Sequence, residues 1–293
     1  MAEQDGEASG RFHTPTAPRL IVGNQLQRFR EAAGVTSQDA ANQIRGSLSK
    51  ISRMENGRVG FKERDVEDLL TLYQVTEAET RSGVLALVRL ANAAGWWTQY
   101  DEVLPEWFEP YLGLESAASV IRCFELQFVP GLFQTEDYAR AVALLAPGPA
   151  SGEHADQRVA LRMKRQDLLV RPEPPRIWAI VDEGVLRRPL GGRAVMHAQL
   201  GRLAEVTAMP HVTLQVVPFG RGEHAAAGGS FSMLRFTDPD VPDVVYAEQL
   251  TSAVYLDKRE DIDLYASVMD RLGATALTPS QTRMFLTRIQ NEI

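Results

Sequence analysis

Residues 45–57 read RGSLSKISRMENG, and their side chains suit one kind of chemistry: hydrogen bonding to a polar, negatively charged surface. On a helix opening at Ser47, Ile51 and Met54 fall on one side, three residues apart, while Leu48, Ser49, Ser52 and Arg53 fall on the other. The inner pair suits an anchor. The outer set is short, polar and basic, which fits the major groove of DNA. Arg53 can bond guanine O6 and N7 together, Ser49 and Ser52 can reach base edges or phosphates, and Leu48 can touch a thymine methyl. Lys50 and Arg58 are cations placed for phosphate. The plain alternative is a solvated helix face in an ordinary bundle, because short motifs also match by chance.

Charge favours the first reading. The whole chain of 293 residues carries a formal net charge of −7. Between residues 20 and 62, however, seven basic residues face three acids, and the acids gather just after, at Glu63, Asp65, Glu67 and Asp68. A local basic face in an acidic chain is what a nucleic-acid module needs.

The elements that would carry this face are short helices. Residues 1–19 are polar and read as a disordered tail. From Leu20 a helical pattern sets Leu26, Phe29 and Ala33 on one side, and Gly34 stops it. A second helix opens at Thr36, with Asp39 three residues on, and a third at Ser47, ended by Gly57. Two more amphipathic stretches follow, KERDVEDLLTLYQV and EAETRSGVLALVRLANAAG. The spacing therefore predicts a five-helix domain over 20–95.

Beyond it, an aromatic cluster of Trp96, Trp97, Tyr100, Trp107, Phe108 and Tyr111 is expected to pack the domain junction. Helices are expected at about 113–125, 136–146, 153–170 and 193–208, and strands at 176–182, 212–218, 230–236 and 243–248. Two helices close the chain. Strand, helix, strand implies a parallel crossover, so 96–293 reads as α+β.

Chemistry is sparse in this half. Five scattered histidines show no metal-ligand spacing, and there is no P-loop, G-x-S-x-G or G-x-G-x-x-G motif. Asp182 and Glu183 follow a strand, but one of them reads better as a helix cap. No cofactor, metal or catalysis is expected. FVPGLFQTEDYARAVALL, 128–145, has two readings: a packed turn and helix, or a ligand or partner pocket lined by Phe128, Leu132, Phe133 and Tyr138. The Gly- and Ala-rich loop 219–231 is a lid or a plain connection. One cysteine, no membrane-length apolar run and no signal-peptide core imply a cytoplasmic protein.

GNQLQRFREAAGVTSQDAANQI and SLSKISRMENG together resemble the Xre, lambda-repressor-like helix-turn-helix domain over about residues 20–75. The resemblance implies a partly buried ion pair between Arg30 and Glu55. It also implies phosphate contacts at Ser37, Ser47, Asn56 and Arg58, and a base-facing set of Leu48, Ser49, Ser52 and Arg53. Two departures stand out. Glutamine is usual at the position of Ser37, and here Gln38 is next door; glycine is usual at the position of Arg45, and here Gly46 follows it. Arg45 is then a further candidate for phosphate.

From Gly95 on, segments such as GWW, FVPGLFQTEDYARA, IVDEGVLRRPLGG and VTLQVVPF resemble the large C-terminal domain of unknown function in actinobacterial, streptomycete-type Xre regulators. That resemblance implies an N-terminal all-α helix-turn-helix domain followed by a mixed α/β sensor or interaction domain. The expected protein is a homodimeric transcriptional regulator on an inverted repeat of double-stranded DNA. Its controller would be a small acidic protein encoded nearby or a small-molecule effector. The alternative is an antitoxin-like protein that sequesters the small partner and autoregulates its operon.

Overall fold

The computed structural model describes residues 17–92, 95–105, 107–145, 152–221, 225–226, 228–237 and 241–293. Helix α1, Ala17–Ala32, starts inside the expected tail, so residues 17–19 are helical; residues 1–16 lie outside the described set. The chain divides into two units, residues 1–94 and 95–293.

Among its described residues the first unit is all helical: α1, α2 (Ser37–Gln43), α3 (Leu48–Glu55), α4 (Glu63–Leu72) and α5 (Ala78–Asn92). The side chains of Thr36 and Ser47 cap α2 and α3, accepting the backbone N–H groups of Asp39 and Lys50. Helices α1 to α4 all stop on a residue with positive φ: Gly34, Arg45, Gly57 and Gln74. At each, paired backbone bonds close the last turn, such as Gly46 N to Ala41 O and Arg45 N to Asn42 O. These stops keep the connections short. The apolar stripes meet in one core of Val22, Leu26, Ala40, Ala41, Ile51, Met54, Val66, Leu69, Leu70, Val84 and Val88.

The second unit is a six-stranded mixed sheet with helices. In chain order it holds α6 (Glu109–Ala117), β1 (Val120–Glu125), α7 (Glu136–Ala143), α8 (Gly152–Arg165), β2 (Arg176–Asp182), α9 (Glu183–Arg187), α10 (Arg193–Val206), β3 (Val212–Val217), β4 (Phe231–Arg235), β5 (Val244–Glu248), β6 (Ala253–Leu256), α11 (Arg259–Thr275) and α12 (Pro279–Glu292). The strand order is β3-β2-β1-β4-β5-β6. Strands β1, β2 and β3 run parallel through helical crossovers, while β4 lies antiparallel to β1 and to β5. The chain is therefore α+β, as the sequence pattern predicts.

The expected helix over 113–125 is corrected. Helix α6 ends at Ala117, and Val120–Glu125 is a central strand paired on both sides. One sheet face, with Phe124, Ile180, Phe231, Met233 and Val245, is covered by Ile262, Met269 and Leu272 of α11. On the other face Cys123, Ser232, Tyr246 and Tyr255 align in register across β1, β4, β5 and β6. Tyr111 packs there, with its ring 4.3 Å from that of Tyr246. The aromatic cluster thus packs inside the second unit: Trp97 joins Leu112 and Leu161, and Phe108 stacks on Tyr111 at 5.3 Å.

Candidate nucleic-acid interface

Helices α2 and α3 meet through the small buried side chains of Ala40 and Ala41. The turn between them is made by Arg45, at φ +51°. A left-handed backbone is costly for any residue but glycine, which explains why a glycine would suit this position. Gly46, one residue on, has ordinary φ and does not replace it. The turn keeps its closing bonds, and the Arg45 side chain is exposed.

Ser47 then caps α3. Ile51 and Met54 are each about 1% exposed and anchor it. Leu48 is 51% exposed, and Ser47, Ser49, Ser52, Arg53, Asn56 and Arg58 are exposed beside it. Arg53 donates from Nε to the carbonyl of Ser49 at 3.3 Å, and Asn56 donates to the carbonyl of Ser52 at 2.7 Å. These bonds run along α3 and hold the two side chains against its outer surface. The arrangement offers hydroxyls, an amide, one leucine and two guanidinium groups on one helix and its exit. That is a set able to read base edges and hold phosphates.

Two expected contacts are placed differently. Lys50 is drawn to α4, where its Nζ lies 2.5 Å from Oδ2 of Asp65, so its charge is matched within the fold. Of the pair on α2, Gln38 is exposed and Ser37 half-buried, and Gln38 donates to Asn42 at 3.1 Å. Two of the four acids that follow α3 are paired within the fold: Asp65 takes Lys50, and Glu63 takes Arg89 at 3.2 Å. Arg45, Arg53 and Arg58 are exposed cations on α3 and the turns that flank it.

Behind the face, Arg30 of α1 binds Glu55 of α3 with two bonds, Nε to Oε1 at 2.6 Å and Nη2 to Oε2 at 3.1 Å. Its Nη1 donates to the carbonyl of Val35 at 3.1 Å. The hydrogen bond from Glu55 raises the Arg30 pKa further, and burial with the Glu55 charge raises that of Tyr73.

The sequence reading overlooked three positioning residues. A Cβ on Gly23 would come within 2.6 Å of the carbonyl oxygens of Met54 and Glu55, so α1 and α3 touch backbone to backbone there. A glycine inside an amphipathic helix was the available signal. Asp65 holds Lys50, and Asn92 at the end of α5 bonds both N–H and C=O of Phe61. Neither partnership leaves a mark in the sequence.

In the second unit Leu132, Phe133 and Tyr138 are buried in the core and Phe128 is half-buried. The Tyr138 hydroxyl accepts from the backbone N–H of Val129 at 3.2 Å. Of the two readings of this segment, this burial favours the packed turn. Asp182 caps α9 through Gly184, and Glu183 binds Arg187 and the N–H of Phe219. His224 and part of loop 219–231 lie outside the described residues. Among the described residues no cluster of His, Cys, Asp or Glu could hold a metal ion, and no helix is long and apolar enough to cross a membrane.

With this geometry in place, comparison with known proteins adds two matches. A model described as a helix-turn-helix domain matches residues 21–82, spanning α1 to the start of α5. A model described as a domain of unknown function, DUF5753, matches residues 108–288. No curated protein and no solved structure matches the chain.

Proposed function

We propose that this chain, which belongs to the DUF5753 family and carries a DNA-binding helix-turn-helix domain ahead of that region, is a sequence-specific transcriptional regulator working as a homodimer on an inverted repeat. Its C-terminal unit receives the controlling signal, from a small molecule or a small protein partner. The observation that carries the reading is the outer face of α3: an exposed leucine, serines and Arg53, on a helix anchored by Ile51 and Met54 and backed by the Arg30–Glu55 pair.

One such module reaches few bases, so useful specificity needs two half-sites. Their centres are expected about one helical turn, roughly 34 Å, or a multiple apart. A ligand that favours one arrangement of the two modules over another would then set operator affinity. We assign the C-terminal unit no catalysis, because its strand-end pair, Asp182 and Glu183, is occupied in capping and bracing α9.

Selection of binding sites from a random duplex pool by the full chain, with light scattering of the protein alone and on the selected duplex, tests the reading. A palindromic consensus bound by two protomers supports it. A non-palindromic site bound by one protomer contradicts the dimer, and the absence of any consensus contradicts sequence-specific binding.

A further inference from the structure

Two arginines one turn apart on α8 have unlike surroundings. Arg165 is matched: its Nε and Nη2 bind the two oxygens of Glu115 at 2.9 and 2.8 Å, and its guanidinium lies over the rings of Phe108 and Tyr111. Arg162 is not. Among the described residues it has one hydrogen bond, Nη1 to the neutral amide oxygen of Gln134 at 3.2 Å, and no carboxylate within 4.0 Å. A guanidinium carries five N–H donors, and holding one away from bulk water with a single neutral acceptor and no carboxylate in direct contact is costly. Burial, with Arg165 nearby, pulls its pKa down to about 10.

The groups around Arg162 come from one end of the sheet. Strands β1 and β5 run in the same direction on either side of antiparallel β4. Their last residues, Glu125 and Glu248, therefore stand at the same end and flank Ser230 at the entry to β4. Both carboxylates act electrostatically with Arg162. Burial pushes the Glu125 carboxyl up to about 7, opposed by a hydrogen bond from Ser230 and reinforced by Glu248.

We propose that Arg162, Glu125, Glu248 and Ser230 form a binding site for a small zwitterion of the amino-acid class. The ligand carboxylate pairs with Arg162, and its ammonium lies between the two glutamates. A phosphate dianion would answer Arg162 but meet two carboxylates, and a simple amine would leave Arg162 unmatched. The zwitterion answers both charges. The inference deepens the proposed control through the C-terminal unit and takes its biological meaning from that reading.

The test is titration calorimetry of the full chain with each of the twenty common amino acids. For any binder, the same molecule lacking its amine and the same molecule lacking its carboxylate follow. At least one amino acid is expected to bind, with each truncated form weaker by about tenfold or more and Arg162→Met weaker by about thirtyfold or more. Ligand-free Arg162→Met should melt at the wild-type temperature or above it, because an unmatched charge has gone. No binding by any of the twenty, unchanged affinity in Arg162→Met, or a lowered melting temperature of that variant overturns the site. Operator binding, followed by fluorescence anisotropy with and without the amino acid, is read separately. An amino acid that binds without changing operator affinity leaves the site standing and removes only the control reading.

Discussion

Arg30 grips both carboxylate oxygens of Glu55 and so ties the last turn of α1 to the last turn of α3. The pair stands directly behind the exposed face of α3 and fixes its tilt. Side-chain exposure of the two is 13% and 10%, so neither charge is well hydrated. Removing one partner strands the other. Glu55→Ala is expected to destabilise the N-terminal unit by about 3 kcal/mol. The double change Arg30→Met with Glu55→Leu should cost less than the single one. Urea denaturation followed by circular dichroism checks both; a double variant worse than Glu55→Ala would contradict the argument.

The same two helices meet at Gly23, where there is no room for a side chain because the obstacles are backbone carbonyls. Gly23→Ala gains helix propensity but forces α1 and α3 apart. The net loss is expected at about 1–3 kcal/mol. A melt showing stabilisation would mean that the two backbones are not in contact.

Arg45 carries opposed effects. Its left-handed backbone costs stability that glycine would recover, while its exposed guanidinium stands in the turn just ahead of α3. Arg45→Gly should raise stability by about 1 kcal/mol. It should also weaken binding to all duplexes alike and lower the salt-dependence slope by about one. Lys50→Ala, by contrast, should change the salt slope little and cost some stability, because that charge is spent on Asp65.

Glu125 sets a pH dependence in the second unit. Its carboxyl titrates near 7 in the fold against 4.5 for the free group, with Glu248, Arg162, Arg165 and Ser230 around it. The folded state therefore holds a proton that the unfolded state releases. Stability is full below about pH 4.5 and falls as pH rises toward 7. Glu125→Gln should match wild type near pH 5 and exceed it by ~1–3 kcal/mol at pH 8, allowing for screening at a half-buried position. Denaturation of ligand-free protein at the two pH values measures this, and a variant equal to wild type at pH 8 would contradict it.

What the sequence disclosed and what it withheld follow from periodicity. The two sides of α3 were legible because Ser47 and Asn56-Gly57 mark its ends and a 3.6-residue period separates Ile51 and Met54 from Arg53. Strand β1 was not. Both of its faces are covered, so Cys123 and Phe124 are buried together, and the alternation that betrays a strand is absent. A short segment of that kind, VIRCFE, reads equally well as helix. Strand β6 has only four residues at the sheet edge. Exposure of the α3 face could be read from one helix, whereas the match of Lys50 to Asp65 and the lack of one at Arg162 depend on elements brought together by the fold.

The direct test of the central claim concerns Arg53. Wild type and Arg53→Ala would be titrated by fluorescence anisotropy against the selected operator and against every single base-pair substitution of it. The account predicts a loss of about 1–3 kcal/mol in the variant, confined in its specificity to one base pair per half-site, with the salt slope nearly unchanged. Equal affinity of the two proteins for the operator, with the same base preferences, would contradict the assignment of α3 as the reading helix.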